Sequence, residues 1–185
     1  MNLVEFELAL TTNLKDELGK NTRVWVWPEY DGVKGFYGSG VINDAVVIWI
    51  TERPSAARDK LKEHKFPDWI DKRFYSLLKA KGLGNMHLTD FVKIMDIARK
   101  RPTKEELEIS TEWMRKEMGM LCLSDKKSII IANTTRVKQW MDEYLPSYPC
   151  IYKPFFKNLI RFGKANLLKE ILSDIYRMTV CRLSN

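Results

Sequence analysis

The stretch that decides the fold is AVVIWI, residues 45–50, which runs directly into TERP, residues 51–54. An unbroken run of β-branched and aromatic residues predicts a strand buried on both faces, and such strands belong to parallel sheets covered by helices. Ligands bind at the carboxyl ends of strands in open α/β sheets, so Glu52, Arg53 and Pro54 become candidate site residues. Pro54 fixes the backbone there. The alternative is an ordinary strand-to-helix loop that ends in a helix N-cap.

Helix and strand patterns alternate along the rest of the chain. Strands joined by helices form right-handed βαβ units, so the pattern predicts an α/β fold, a three-layer sandwich in which helices flank a central four-stranded parallel sheet. Thr103 and Glu106 have the spacing of a capping box. The predicted helices are 4–18, 56–65, 72–81, 104–120, 135–144 and 165–178, the four core strands are 45–50, 86–89, 128–132 and 148–152, and a further strand is 23–28.

The length of 185 residues predicts one domain, with an N-terminal helix and extension over 1–40 and a core over 41–185. No apolar run approaches the roughly 20 residues that a membrane helix needs, so we expect no membrane partner. The acidic, amphipathic first residues do not resemble a secretory signal. We therefore expect an intracellular monomer, cytoplasmic or, in a eukaryote, nuclear.

The chain carries a net charge of +7, from 31 Lys and Arg against 24 Asp and Glu. This excess suits a polyanionic partner such as DNA. The alternative is the general enrichment in Lys and Glu found in thermophilic proteins. The three cysteines have no paired spacing, which predicts a reducing compartment without a disulfide framework or a cysteine metal cluster.

Polar and aromatic residues follow each of the four core strands. Parallel strands bring their carboxyl ends to one edge of the sheet, so these residues are expected to lie together. A polar set of mixed charge that is edged by aromatics suits a pocket for a flat polar ring. The set consists of 51–54, 89–91, 133–134 and 153–156.

Several of these segments resemble, in order, the motifs of the uracil-DNA glycosylase superfamily, especially its bacterial and archaeal branches. Residues 52–54, Glu-Arg-Pro, resemble the Gly-Glu-Ala-Pro-Gly turn, and Phe66 falls within one residue of the phenylalanine that stacks on the flipped base. Residues 88–93 are similar to the Thr-Asn-x-Val-Lys segment, whose Asn reads the base.

Three later segments extend the resemblance over roughly residues 45–172. Residues 101–107, RPTKEEL, resemble the Arg-x-Pro-Thr-x-x-Glu-Ile helix start. Residues 129–134 resemble the Val-Ala-Leu-Gly strand, and residues 152–154, Tyr-Lys-Pro, stand where the family has its His-Pro motif. The resemblance implies the glycosylase fold, DNA as partner in duplex or single-stranded form, and base flipping without a metal or organic cofactor.

The chain departs from the family at the polar positions of these motifs. Thr51 replaces a glycine, Arg53 an alanine, Asp90 the base-reading Asn, Lys153 the His, and Ser110 the cysteine ligand of an iron–sulfur cluster. We therefore expect no iron–sulfur cluster. The changes also point to a base other than uracil.

Asp90 and Glu52 receive specific roles by this resemblance. An ionised Asp90 only accepts hydrogen bonds, so it suits the exocyclic amine of a cytosine-type or modified pyrimidine. The alternative is that Asp90 caps the next segment or pairs with Lys93 or Arg53. Glu52 is the candidate for orienting water or stabilising the sugar cation, and Lys153 for holding charge on the leaving base.

Arg53 conflicts with catalysis unless Glu52 or a phosphate neutralises it, because a cation repels a developing oxocarbenium ion. This conflict supports the alternative function, a catalytically inactive glycosylase-like protein that binds nucleic acid. Asn133, Pro54 and Phe66 complete the expected base-binding set with Asp90.

The segment 155–164 corresponds to the family loop that wedges into DNA when a base is extruded. The residues expected to contact DNA come from this segment and from the basic link 99–101. They are Phe156, Lys157, Arg161, Lys164, Arg99 and Arg101. The alternatives are the start of an amphipathic helix with its Phe residues in the core, and a solvated turn at the basic link.

Overall fold

The computed structural model describes residues 3–18, 29–30, 33–34, 47–53, 69–83, 86–94, 101–121 and 128–183. Several predictions fall on other residues and lie outside this described part. They are the strand 23–28, the short helix 56–65, and the site residues Pro54, Phe66 and Arg99.

The predicted α/β architecture is confirmed, with helices on a four-stranded, all-parallel sheet. A separate antiparallel pair, β1 with β2, precedes it. In chain order the described elements are α1 (Leu3–Leu18), β1 (Glu29–Tyr30), β2 (Val33–Lys34), β3 (Val47–Thr51), α2 (Trp69–Ala80), β4 (Met86–Asp90), α3 (Lys104–Met120), β5 (Ile129–Ala132), α4 (Thr135–Tyr144), β6 (Cys150–Tyr152), α5 (Phe156–Arg161) and α6 (Ala165–Leu183).

The strand order of the sheet is β4-β3-β5-β6. In the register, Val47 of β3 lies opposite Met86 of β4 on one side and Ile129 of β5 on the other. The chain passes from β3 to β4 in one direction and then crosses to β5 on the opposite side of β3. The crevice between the ends of β3 and β5 is therefore a topological switch point, where open α/β sheets bind ligands.

Side chains of β3 alternate between two hydrophobic clusters, one on each face of the sheet. Ile48 and Ile50 join the cluster that contains α1, α3 and α4 residues. Val47 and Trp49 join the cluster that contains α2, α5 and α6 residues. All four side chains are fully buried, which explains why the sequence of β3 has no polar alternation.

Two local signals in the sequence set the ends of helices. The predicted capping box of α3 is confirmed, because the Glu106 N–H donates to the Thr103 hydroxyl at 3.1 Å and the Thr103 N–H donates to the Glu106 carboxylate at 2.8 Å. Gly82 follows α2 with a φ of 71°, the left-handed conformation in which glycine is unstrained.

No helix in the described part of the chain is both long and apolar enough to cross a bilayer. Of the cysteines in that part, Cys150 is a buried free thiol and Cys181 an exposed one. Burial raises the pKa of the Cys150 thiol to about 11, so it stays protonated at neutral pH.

Candidate active site at the carboxyl edge of the sheet

One row of polar residues crosses the carboxyl edge of the sheet. Asp90 lies opposite Thr51 in the register of β4 and β3. The ladder continues past the strand ends, because the Asn133 N–H donates to a β3 carbonyl at 3.1 Å and the Lys153 N–H donates to a β5 carbonyl at 3.0 Å. The backbone order of the row is therefore Asp90, Thr51, Asn133 and Lys153.

This row lies on the face of the sheet covered by α2, α5 and α6. Alternation along β5 directs Asn133 to the side of Ile131, which belongs to the cluster of those three helices. Neighbouring strands lie about 4.8 Å apart, so the backbones of Asp90 and Lys153, at the two ends of the row, are about 14 Å apart. The middle of the row, at Thr51 and Asn133, is therefore about 5 Å from the backbone of the nearer end.

The Asp90 carboxylate is held inside the fold. Its side chain is 2% exposed and accepts a hydrogen bond from the Thr51 hydroxyl. The ammonium of Lys93 donates to the Asp90 backbone carbonyl at 2.7 Å. Lys93 thus holds the backbone carbonyl of Asp90, while Thr51 holds its carboxylate, so both groups are fixed at the end of β4.

Arg53 is neutralised by Glu106, a residue that no functional prediction included. Its guanidinium donates to the Glu106 carboxylate at 3.0 Å, and both side chains are largely buried. The same carboxylate oxygen accepts the Thr103 N–H in the capping box. The charge of Arg53 is therefore balanced by a carboxylate beside the candidate site.

Glu52 forms a salt bridge with Arg136 in the first turn of α4. Both side chains are partly exposed, so the pair borders solvent. It joins the loops that follow β3 and β5, the two strands on either side of the switch point. Sequence reasoning missed Arg136, because it lies in the predicted helix 135–144 and not among the selected residues 133–134.

A buried charged network lies under the row, on the opposite face of the sheet. Lys93 donates to Glu117 at 2.5 Å and to the Thr89 hydroxyl at 2.7 Å. The Nε2 of His87 lies 2.7 Å from the second oxygen of Glu117. The Lys93, Glu117 and His87 side chains are fully buried, so the network anchors the end of β4 to α3.

The electrostatics of this network stabilise the ionised form of Glu117. Burial alone raises the pKa of a carboxyl, but the positive charge of Lys93 and the hydrogen bond from His87 outweigh it and lower the pKa of Glu117 to about 2. The sequence assigned no role to His87 or Glu117. The missed signal was an acidic residue within the buried stripe of α3, which comprises Ser110, Thr111, Trp113, Met114, Glu117 and Met118.

Asn133 has an unusual environment for a polar side chain. It is 2% exposed, and neither its Oδ1 nor its Nδ2 has a hydrogen-bond partner among the residues that the structure describes. Buried side-chain amides are nearly always bonded, and leaving such a group unpaired costs about 1–3 kcal/mol. Such an exception at a topological switch point marks Asn133 as a candidate ligand contact.

The segment expected at DNA contains a short helix, α5, and a turn. The structure corrects the expectation for Phe156, which is fully buried and stacks on Phe74 with ring centroids 3.8 Å apart. Phe156 is therefore a core residue. The exposed aromatic side chain of this segment is Phe162, at 69% exposure. Lys157 is half-buried, whereas Arg161, Lys164 and, on the basic link, Arg101 are exposed.

Within the residues that the structure describes, no three His, Cys, Asp or Glu side chains are grouped to hold a metal ion. In comparisons with known proteins, no protein-family model matches the sequence and no curated protein matches it significantly.

Proposed function

We propose that the protein is a DNA glycosylase that cleaves the N-glycosidic bond of a flipped-out pyrimidine, with a cytosine-type or modified base preferred to uracil. The observation that carries the proposal is the row of Asp90, Thr51, Asn133 and Lys153 at the carboxyl edge of a parallel sheet. It offers a carboxylate, a hydroxyl, an amide and a cation beside a switch point. That set suits the polar edge of a base.

The reaction divides into the departure of the base and the addition of water. The base leaves with the electron pair of the glycosidic bond, and the sugar becomes an oxocarbenium ion. Lys153 then stabilises the negative charge on the departing base. Glu52 stabilises the sugar cation and accepts the proton of the water that adds to it, while its salt bridge to Arg136 fixes its position.

The preference for a cytosine-type base follows from Asp90. An ionised carboxylate only accepts hydrogen bonds, so it pairs with an exocyclic amine and opposes the O4 carbonyl of uracil. Thr51 donates to this carboxylate and fixes its direction. Two facing acceptors cost about 1–3 kcal/mol, which is enough to discriminate between the bases.

Exposed basic and aromatic side chains near the site support action on DNA. Exposed Arg161, Lys164 and Arg101 suit phosphate contacts, and exposed Phe162 suits a wedge between bases. We propose a monomer that acts on DNA in the cytoplasm or nucleus.

The direct test is abasic-site formation on oligonucleotides that carry uracil, cytosine, thymine or modified pyrimidines. We expect cleavage of at least one cytosine-type or modified base, and Glu52→Gln to lower its rate about 10²-fold or more. The matched control is Glu170→Gln, an exposed glutamate on α6. No cleavage anywhere on the panel would contradict the proposal.

A second variant, Asp90→Asn, tests the base preference. Asp90→Asn restores an amide that can donate to O4, so we expect activity or affinity to move toward uracil. An unchanged preference would show that Asp90 does not read the base. The amide oxygen that Asp90→Asn introduces can still accept from the Thr51 hydroxyl, and unfolding curves of the variant show whether the fold keeps its stability.

The second candidate is a catalytically inactive relative that binds nucleic acid through the same edge. The observation that favours it is that both carboxylates are already engaged, Glu52 by Arg136 and Asp90 by Thr51. This candidate predicts DNA affinity that falls with salt but no abasic product on any oligonucleotide. Affinity that does not depend on salt would contradict both candidates.

A further inference from the structure

We propose that Asn133 reads the polar edge of the bound base together with Asp90, and that its amide supplies the hydrogen-bond donor that Asp90 lacks. This inference rests on the proposed function and assigns the specificity of that same site. It starts from one fact: the Asn133 amide is buried, and both of its polar atoms lack partners within the described residues.

The backbone around Asn133 is fixed on both sides. Its own N–H bonds to β3, and the next residue, Thr134, caps α4 by accepting the Val137 N–H at 3.1 Å. Thr134 and Asn133 could both cap helices by residue type, but Thr134 alone performs that role here. Neither contact uses the Asn133 amide, which has no hydrogen-bond partner in the described part of the chain.

Its place in the row makes a shared ligand possible. Asn133 lies one strand from Thr51 and two strands from Asp90, so its backbone is about 10 Å from that of Asp90. A planar ring held between the two side chains meets an acceptor-only group on one side and an amide on the other. The amide presents an acceptor and a donor side by side, which matches the adjacent donor and acceptor on the edge of a nucleobase.

The energetics also favour a ligand at Asn133. An unpaired buried amide destabilises the free protein, and a base that pairs with it recovers that loss on binding. This gain offsets the cost of admitting the ring between packed side chains. A ring without polar edge atoms recovers nothing, so the same residue provides selection for nucleobases over apolar rings.

The test compares Asn133→Leu, Asn133→Ala and Asn133→Asp with the control Asn166→Leu, an exposed asparagine on α6. The probes are free uracil, free cytosine and benzene, followed by isothermal titration and by chemical-shift changes. For the wild type we expect both pyrimidines to bind and benzene not to bind. We expect Asn133→Leu and Asn133→Ala to lower the affinity for both pyrimidines at least tenfold. Asn133→Asp should lower the affinity for uracil more than that for cytosine, and Asn166→Leu should bind as the wild type does.

Unfolding in urea supplies a readout that does not depend on any ligand. If the amide has no partner in the folded protein, Asn133→Leu unfolds at a urea midpoint equal to or above that of the wild type. A clearly lower midpoint for both Leu and Ala would show that the amide is bonded within the fold, and would overturn the inference.

Two further outcomes separate this inference from the proposed function. Wild-type binding of pyrimidines that persists unchanged in Asn133→Ala would overturn the role of Asn133 and leave the glycosylase proposal intact. A wild type that binds neither pyrimidine nor DNA would overturn the proposed function, and the inference with it.

Discussion

The guanidinium of Arg53, at the exit of β3, lies 3.0 Å from the carboxylate of Glu106 in the first turn of α3. One side chain therefore has two tasks, since Glu106 also closes the capping box by accepting the Thr103 N–H. The start of α3 is thus fixed to the edge of the sheet where the candidate site lies. Local helix capping and the charge balance of the site depend on the same carboxylate.

Removing Glu106 is expected to cost more stability than removing the cap alone. Thr103→Ala loses only the side-chain cap, at about 1 kcal/mol. Glu106→Ala loses its half of the cap and also leaves the largely buried Arg53 without its anion. We therefore expect its free energy of unfolding to fall by about 1–2 kcal/mol more than that of Thr103→Ala. Urea unfolding of both variants measures the difference. Equal losses would show that the Arg53 contact contributes nothing.

The buried pair of Lys93 and Glu117 is expected to behave differently when one or both partners are replaced. Glu117→Leu leaves a buried ammonium without its anion and should destabilise the protein by about 3–5 kcal/mol. Replacing both, with Lys93→Met and Glu117→Leu, removes the unpaired charge and should recover a large part of that loss. Thermal or urea unfolding of the single and double variants gives the comparison. A double variant less stable than the single one would contradict it.

Acid is expected to destabilise the fold through Glu117. Its pKa is about 2 in the folded protein against an ordinary 4.5, so its contribution is fully present above pH 4.5 and is lost as the pH falls toward 2. The difference corresponds to about 3 kcal/mol. Free energies of unfolding measured over this window should fall less steeply in Glu117→Gln than in the wild type. Glu112→Gln, at an exposed position of α3, should keep the wild-type slope.

Phe156 and Phe162 form a matched pair for the segment after β6. Phe156 is fully buried and contacts Trp49 and Phe74, so Phe156→Ala should cost about 3–5 kcal/mol of stability. Phe162 is exposed, so Phe162→Ala should change stability by less than about 0.5 kcal/mol. Under the proposed function, Phe162→Ala weakens DNA binding at constant salt. Unchanged affinity would remove Phe162 from the DNA contacts.

Two glycines, one after α2 and one within α3, are expected to respond in opposite ways to replacement by alanine. Gly82 has a φ of 71°, and a Cβ there would lie 3.2 Å from the Tyr176 ring, so Gly82→Ala should cost more than about 1 kcal/mol. Gly119 lies within α3 with open space around it, so Gly119→Ala should stabilise by about 0.5–1 kcal/mol. Thermal unfolding distinguishes the two signs. A loss of stability in both variants would contradict the second expectation.

The sequence was sufficient to predict the layers of the fold, because its strongest signals are local. The continuous apolar run of β3 and the capping box of α3 each depend on residues within a few positions of one another. The predicted α4, residues 135–144, has the observed bounds Thr135–Tyr144, because Thr134 is a strong N-cap. The closing helix was predicted to end at 178 but continues to Leu183, since no glycine or proline stops it.

Partners distant in sequence could not be predicted. Glu106 lies 53 residues from Arg53, and Arg136 lies 84 residues from Glu52, so no spacing rule connects them. Residue type also misled at Phe156, because an aromatic after a strand suits a DNA wedge and a hydrophobic core equally. Its burial depends on Phe74, an α2 residue whose position becomes known only from the packed fold.

The all-parallel sheet has a consequence for synthesis of the chain. β3 leaves the ribosome well before either of its neighbours, which begin at Met86 and Ile129. Its face toward α2, α5 and α6 is completed last, by α6. Until then the nascent polypeptide exposes one of its most apolar segments, and such segments are prone to aggregate. Premature termination within α6 would therefore release a chain that depends on chaperones, even though every residue of the sheet had been made.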